Sequence, residues 1–88
     1  MSNFDRTMQF SIDNKDDENE TKRIIRLACE SMLEKGYDPV SQFIGYIISG
    51  DPTYITSYQN ARTIVKRVDR DDLLEEFVRY YIDSLISK

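Results

Sequence analysis

The stretch GYDPVSQFIGYIISGDPTYI, residues 36–55, contains Gly-x-Asp-Pro at its start and Gly-Asp-Pro near its end. Glycine suits the left-handed residue that ends a helix, aspartate accepts hydrogen bonds from the first free N–H groups of the next helix, and proline suits that helix's first position. Each motif therefore predicts that one helix ends and another begins. Gly36 and Gly50 are expected to adopt positive φ.

Apolar residues within this stretch and on both sides of it recur with a helical period of about 100° per residue. This period predicts helices near residues 18–35, 39–49, 57–67 and 69–86, with a single turn at 52–55. The predicted inward positions are Ile24, Leu27, Ala28, Met32, Val40, Phe43, Ile44, Ile47, Ile48, Tyr58, Ala61, Ile64, Val65 and Val68. The expected fold is all-α, a compact bundle of about five helices. The helical domain spans residues 18–88, and an extended N-terminal arm spans residues 1–17.

The last predicted helix has more apolar surface than one stripe requires, because its large apolar residues cover about 180° of arc instead of about 100°. A position at the centre of the chain's own bundle would explain this arc. A homodimer explains it too, and is favoured because a chain of 88 residues gains much of its missing core by pairing. A mid-helix glycine at position 45 indicates close approach by another helix. The predicted core or dimer positions are Gly45, Leu73, Phe77, Val78, Tyr81 and Ile82.

The N-terminal arm is rich in charged and polar residues and shows no helical stripe. Met8, Phe10 and Ile12 alternate with polar residues, the period of an extended strand with one apolar edge. Three apolar residues at this spacing could anchor the arm in a groove, and residues 13–20 are expected to form a solvated spacer and helix start.

The composition argues against most enzyme classes. The chain has no histidine to act as a base or nitrogen ligand at neutral pH, and one cysteine instead of a ligand cluster. Cys29 falls near the apolar face of a predicted helix and is expected to be a structural thiol. Acidic residues 71, 72, 75 and 76 are explained by the start of a helix. No enzyme activity, cofactor or metal is expected.

The cysteine count and the short apolar runs bear on location. A single cysteine agrees with a reducing cytosol, and the start of the chain, MSNFDRT, lacks the features of a signal peptide. The longest apolar run, FIGYII, is far shorter than the roughly 20 residues that span a bilayer. A cytoplasmic protein with no membrane insertion is expected.

A row of basic residues, Arg62, Lys66 and Arg70 with Arg67 nearby, lies beside the apolar stripe of the helix predicted at 57–67. Such a row usually forms a solvated face with salt bridges to nearby acids. Alternatively, it could bind a phosphate group or an acidic partner segment. Nucleic acid is disfavoured as the partner because the net charge of the chain is −4.

The residues GYDPVSQFIGYIISGDPTYIT, NAR and RDDLLEEFVRYYI resemble the IreB family of small regulatory phosphoproteins from Firmicutes, also called UPF0297 or DUF965. The resemblance extends from Thr7 to Ile82. It implies a cytoplasmic homodimer of five helices that a membrane-bound Ser/Thr kinase phosphorylates and a cognate phosphatase dephosphorylates. The family's phosphoacceptors are threonines in the arm. Thr7 falls on one of these positions, whereas Phe4 occupies the other.

The resulting prediction is a non-enzymatic regulatory phosphoprotein of cell-envelope stress signalling. Phosphorylation of Thr7 would switch its binding to an unidentified downstream protein. A phosphate on Thr7 could dock on the basic row, or a partner could read it directly. The alternative from another class is a constitutive dimeric adaptor or a small nucleic-acid-binding module that uses the basic row.

Overall fold

The computed structural model describes residues 19–87, and every regular element in this range is helical. Helix α1 spans Glu20–Glu34, α2 spans Pro39–Ser49, α3 spans Ala61–Val65 and α4 spans Arg70–Ile86. Two 3₁₀ turns, Pro52–Tyr54 and Tyr58–Asn60, connect α2 to α3. The all-α prediction is confirmed, with four α-helices and short 3₁₀ turns. The predicted arm, residues 1–17, lies outside the described residues.

The two Gly-Asp-Pro motifs form the helix boundaries that the sequence predicts. Gly36 and Gly50 have φ values of +82° and +78°, which lie in the left-handed region. Asp38 caps α2 by accepting a 3.2 Å hydrogen bond from the N–H of Val40. Asp51 caps the first 3₁₀ turn in the same way, with a 3.0 Å bond from the N–H of Thr53. Two sharp turns in the chain follow, one on each side of α2.

The predicted helix at 57–67 is broken in the structure. Gln59 and Asn60 have φ values of +53° and +64°, so a 3₁₀ turn and the five-residue α3 replace one continuous helix. Contacts from α1 hold this kink in place: the Ser31 hydroxyl donates to Gln59 Oε1 at 3.1 Å, and the Tyr58 hydroxyl donates to Glu34 Oε2 at 2.9 Å. These bonds join residues distant in sequence, so helical periodicity could not reveal them.

The core lies where α1 packs against α3, with the first turn of α4 and one side of α2 closing it. Its buried apolar residues are Ile24, Ala28, Met32, Phe43, Tyr46, Ile55, Ala61, Val65, Val68 and Leu73. The inward positions predicted for α1 and for the 57–68 segment are largely confirmed, since Ile24, Ala28, Met32, Ala61, Val65 and Val68 are all buried.

The predicted inward stripe of α2 is wrong at three positions. Val40, Ile44 and Ile48 are 64%, 51% and 78% exposed, whereas Tyr46, which the prediction omitted, is buried. The side of α2 that packs against the rest of the chain is therefore rotated by about 100° around the helix axis from its most apolar side. This is about the angle between consecutive residues of an α-helix. Its most apolar side faces away from the described core.

Helix α4 buries less of its apolar arc than the prediction for a central helix requires. Leu73 is fully buried and Phe77 is half-buried against the core. The remaining large apolar side chains of the arc are exposed, namely Leu74, Val78, Tyr81, Ile82 and Leu85. Of the three long helices, α4 thus contributes the fewest buried side chains to the core of residues 19–87, namely Leu73 alone.

At Gly45 the close neighbour is an aromatic ring and not, as predicted, a second helix. The ring of Tyr54, from the first 3₁₀ turn, occupies the space that a Cβ at position 45 would need. No helix among residues 19–87 combines the length and apolarity needed to cross a bilayer.

Candidate functional site

Helices α2 and α4 present a set of exposed apolar side chains on the described surface. It consists of eight large apolar side chains that are 44–78% exposed, namely Val40, Ile44, Ile48, Leu74, Val78, Tyr81, Ile82 and Leu85. We call these residues the α2–α4 face. A groove of about 330 Å³ opens on it between the two helices, with only apolar atoms on its exposed lining. Apolar patches larger than a few hundred Å² are uncommon on monomers and typically mark interaction sites.

The floor of this groove contains Phe43, Phe77 and Cys29. The two phenylalanine rings meet edge to face, with centroids 5.1 Å apart and an interplanar angle of 67°. Partial burial raises the pKa of the Cys29 thiol, and the negative charge of Glu30 raises it further. At neutral pH the thiol is therefore protonated and acts as a small apolar group, as expected for a structural cysteine.

A second groove, of about 440 Å³, lies between α1 and α4. We call it the α1–α4 groove; it is lined by Lys22, Ile25, Arg26, Glu76, Phe77 and Tyr80. Its exposed lining is almost entirely apolar, and charged groups stand at its edge. Lys22 Nζ and Glu76 Oε2 are 3.9 Å apart there.

The α1–α4 groove has a polar neighbour. Beside Lys22 and Glu76 lies a recess whose other lining residues are Asn19, Thr21, Asp72, Glu75 and Arg79. Arg79 donates a 2.7 Å hydrogen bond to Glu75 within α4, and this ion pair raises the pKa of Arg79. The recess therefore carries three carboxylates and two cations, whereas the groove carries two cations and one carboxylate.

The structure does not arrange the predicted basic row as one helical stripe. Helix α3 ends at Val65, so Arg62 lies in α3 and Arg70 lies in α4, with Lys66 and Arg67 exposed between them. Arg62 Nε donates a 2.9 Å hydrogen bond to the carbonyl of Ile55, and Arg70 Nη1 donates a 3.0 Å bond to the carbonyl of Ile47. Two of the four residues thus bind the chain's own backbone. The anion-binding role stays a prediction, and these contacts give the nucleic-acid alternative no support.

Three carboxylates gather at the start of α4, where oxygen atoms of Asp69, Asp71 and Asp72 lie within 4.8 Å of one another. All three residues are exposed. The positive end of the helix dipole favours negative charge at this position without any bound ion. The absence of a bound metal stays a prediction.

The predicted packing residues fall into three groups. Leu73 is buried, Gly45 and Phe77 are half-buried, and Val78, Tyr81 and Ile82 are exposed on the α2–α4 face. Thr7 lies outside the described residues. Sequence reasoning missed the α1–α4 groove, although Ile25 and Tyr80 stand at the flanks of their apolar stripes and could have indicated that both helices have a second apolar side.

The fold and its surfaces define a small all-α protein with broad exposed apolar faces. The chain belongs to the IreB regulatory phosphoprotein family, whose family model matches residues 5–83. It is also 53% identical over 78 residues to a UPF0297 protein of Ruminiclostridium cellulolyticum, in an alignment that covers 89% of this chain and 88% of that protein.

The family resemblance noted in the sequence is therefore confirmed. The description of the family as a regulatory phosphoprotein implies a non-enzymatic role, and partners that add and remove phosphate.

Proposed function

We propose that this chain is a cytoplasmic substrate of a membrane-bound Ser/Thr kinase and its cognate phosphatase in cell-envelope stress signalling, with Thr7 as the phosphoacceptor. The observation that carries the proposal is the family match, because it spans residues 5–83 and so includes Thr7. Phosphorylation would switch binding to a downstream protein.

The chemistry of the N-terminal sequence supports Thr7 as the site. Arg6 directly before it and Gln9 two residues after it are polar, and a kinase binds an extended polar segment without having to unfold a core. Phosphate would add about −1.5 to −2 charges directly beside the apolar Met8. A change of this size can alter which surface the segment contacts.

We further propose that the chain is a homodimer that buries its α2–α4 face. Support comes from the eight exposed apolar side chains of this face, which lie on adjacent helices; three of them, Val40, Ile44 and Leu74, line one apolar groove. A small chain gains buried core when such a face packs against the same face of a second copy. A two-fold dimer needs only one self-complementary patch for this.

The phosphorylation proposal is tested with the full chain, purified kinase and ATP. Intact mass and peptide mapping should show one phosphate on Thr7, which the phosphatase removes. Thr7→Ala should abolish this incorporation, while Ser11→Ala, a matched loss of a hydroxyl in the same segment, should leave it unchanged. Equal incorporation into wild type and Thr7→Ala would contradict the assignment.

The dimer proposal is tested by sedimentation equilibrium at micromolar concentration. The full chain should give twice its mass of 10.4 kDa. Val78→Asp should shift the protein to monomer because it places a charge in the α2–α4 face. Leu33→Asp is the matched control, since Leu33 is 64% exposed and lies on α1 outside that face. A monomeric wild type would remove the proposal.

A further inference from the structure

We propose that the α1–α4 groove binds the N-terminal segment of its own chain, with Met8, Phe10 and Ile12 as the anchoring side chains. This inference goes beyond the proposed function, because the segment would bind the groove whether or not Thr7 is phosphorylated. It rests on the chemistry of the groove, on the point where the segment joins the domain, and on charge.

The groove offers apolar surface to a segment that has one apolar edge. Ile25, Phe77 and Tyr80 form its apolar lining, and Tyr80 is 75% exposed despite its large ring. Met8, Phe10 and Ile12 are two residues apart, so an extended backbone places all three side chains on one edge. Methionine and aromatic side chains pack well together on such a surface.

The segment joins the domain next to the groove. Asn19, the first described residue, caps α1 by accepting a 2.8 Å hydrogen bond from the N–H of Lys22, and Lys22 itself lines the groove. Phe10 lies nine positions before Asn19, and a stretch of that length spans up to about 30 Å when extended. Ile25 lies within two helical turns of Asn19, about 9 Å along α1. The connection is therefore long enough to reach the groove without strain.

Charge favours the groove over the adjoining recess for an acidic segment. Residues 13–18 contain four acidic residues and one lysine. At the groove, Lys22 and Arg26 are balanced by Glu76 and by Glu30, which lies 3.6 Å from Arg26, whereas the recess has three carboxylates and only two cations. The acidic residues are therefore repelled less by the groove than by the recess, over a screening length of about 8 Å at physiological salt.

The segment and a second copy of the chain can bind at the same time. The α2–α4 face uses the side of α4 that carries Leu74, Val78 and Leu85, whereas the groove uses the side that carries Glu76 and Tyr80. The proposed docking is also distinct from a contact between the segment and the basic row, which lies on α3, α4 and the connection between them.

The first test compares NMR spectra of the full chain with those of its Phe10→Ala and Phe4→Ala variants. Phe10→Ala should shift the methyl signals of Ile25 and the ring signals of Tyr80. Phe4→Ala, the same truncation outside the alternating triplet, should not. Shifts confined to residues near position 10 would overturn the proposal, and shifts at residues 62–70 would overturn it in favour of the basic row. If the NMR signals of the groove residues change on dilution and not with Phe10→Ala, a second copy of the chain occupies the groove, which would overturn the proposal.

The reciprocal test changes the groove and follows the segment. Tyr80→Ala in the full chain should raise the rate of trypsin cleavage after Lys15 several-fold, because a segment released from the groove can enter the active site of trypsin. Leu33→Ala, at another exposed site on the described surface, should leave the rate unchanged. Both variants should fold, since both side chains are largely in water. Equal cleavage of wild type and Tyr80→Ala would contradict docking.

Discussion

The ring of Tyr54 lies in the space that a Cβ of residue 45 would occupy, so α2 can pack against the following 3₁₀ turn only because residue 45 is glycine. Glycine in the middle of a helix lowers helix stability by about 1 kcal/mol relative to alanine. The contact with Tyr54 explains why α2 has glycine at position 45 despite this loss of helix stability. The tight turn after α2 returns the chain directly over the helix and brings Ile55 into the core.

Gly45→Ala is expected to destabilise the fold, because the new methyl group must displace the Tyr54 ring. In a Tyr54→Ala background the same substitution should instead stabilise the protein by up to about 1 kcal/mol, since the helix gains alanine and the clash is gone. Chemical denaturation of the four proteins of this double-mutant cycle measures the coupling. Additive effects would show that Tyr54 is not the obstacle.

Alanine at Gly36 and at Gly50 should destabilise to different extents. Both residues have positive φ, which costs alanine about 1 kcal/mol. At Gly36 a Cβ would meet open space, so this backbone term should be the whole effect. At Gly50 a Cβ would come within 2.9 Å of the Arg70 guanidinium, which would have to move from its bond to the Ile47 carbonyl. Thermal unfolding should therefore give Gly50→Ala a lower Tm than Gly36→Ala. A higher Tm for Gly50→Ala would contradict this account.

Leu73 and Leu74 are adjacent residues of identical chemistry in opposite environments. Leu73→Ala should destabilise the protein by about 2–5 kcal/mol, because its side chain is fully buried. Leu74 is 49% exposed, so its truncation should cost less than about 1.5 kcal/mol in dilute solution. If the α2–α4 face is a dimer interface, the Leu74→Ala effect should grow with protein concentration, whereas a constant effect would argue against that interface.

The Cys29 thiol should react slowly with alkylating reagents at neutral pH. Its pKa lies above the ordinary value of 9.0, chiefly through burial, so less of the reactive thiolate is present at any pH below that value. A pH profile of the iodoacetamide rate should rise with a midpoint above that of a free thiol. Glu30→Gln should lower the midpoint, because it removes the second cause of the raised pKa. A midpoint at or below that of free cysteine would contradict the partial burial.

The sequence by itself determined where the chain turns, because glycine, aspartate and proline act through their own backbones. Gly36, Asp38, Gly50 and Asp51 have the roles that local chemistry predicts, whatever surrounds them. The helical periods of α1 and α4 are local in the same sense. The family, too, was evident from the order of these motifs along the chain.

Tertiary structure alone decided which side of α2 is buried and where the predicted helix at 57–67 is broken. Tyr46 is buried in place of Ile44 because the neighbours of α2, not its own composition, select the packed side. The kink at Gln59 depends on a hydrogen bond from Ser31, 28 residues earlier. The basic row is divided because α3 ends at Val65, and Arg70 in α4 donates to the carbonyl of Ile47, 23 residues earlier. Periodicity describes a helix in isolation, whereas burial and long-range hydrogen bonds belong to pairs of elements that only the folded chain brings together.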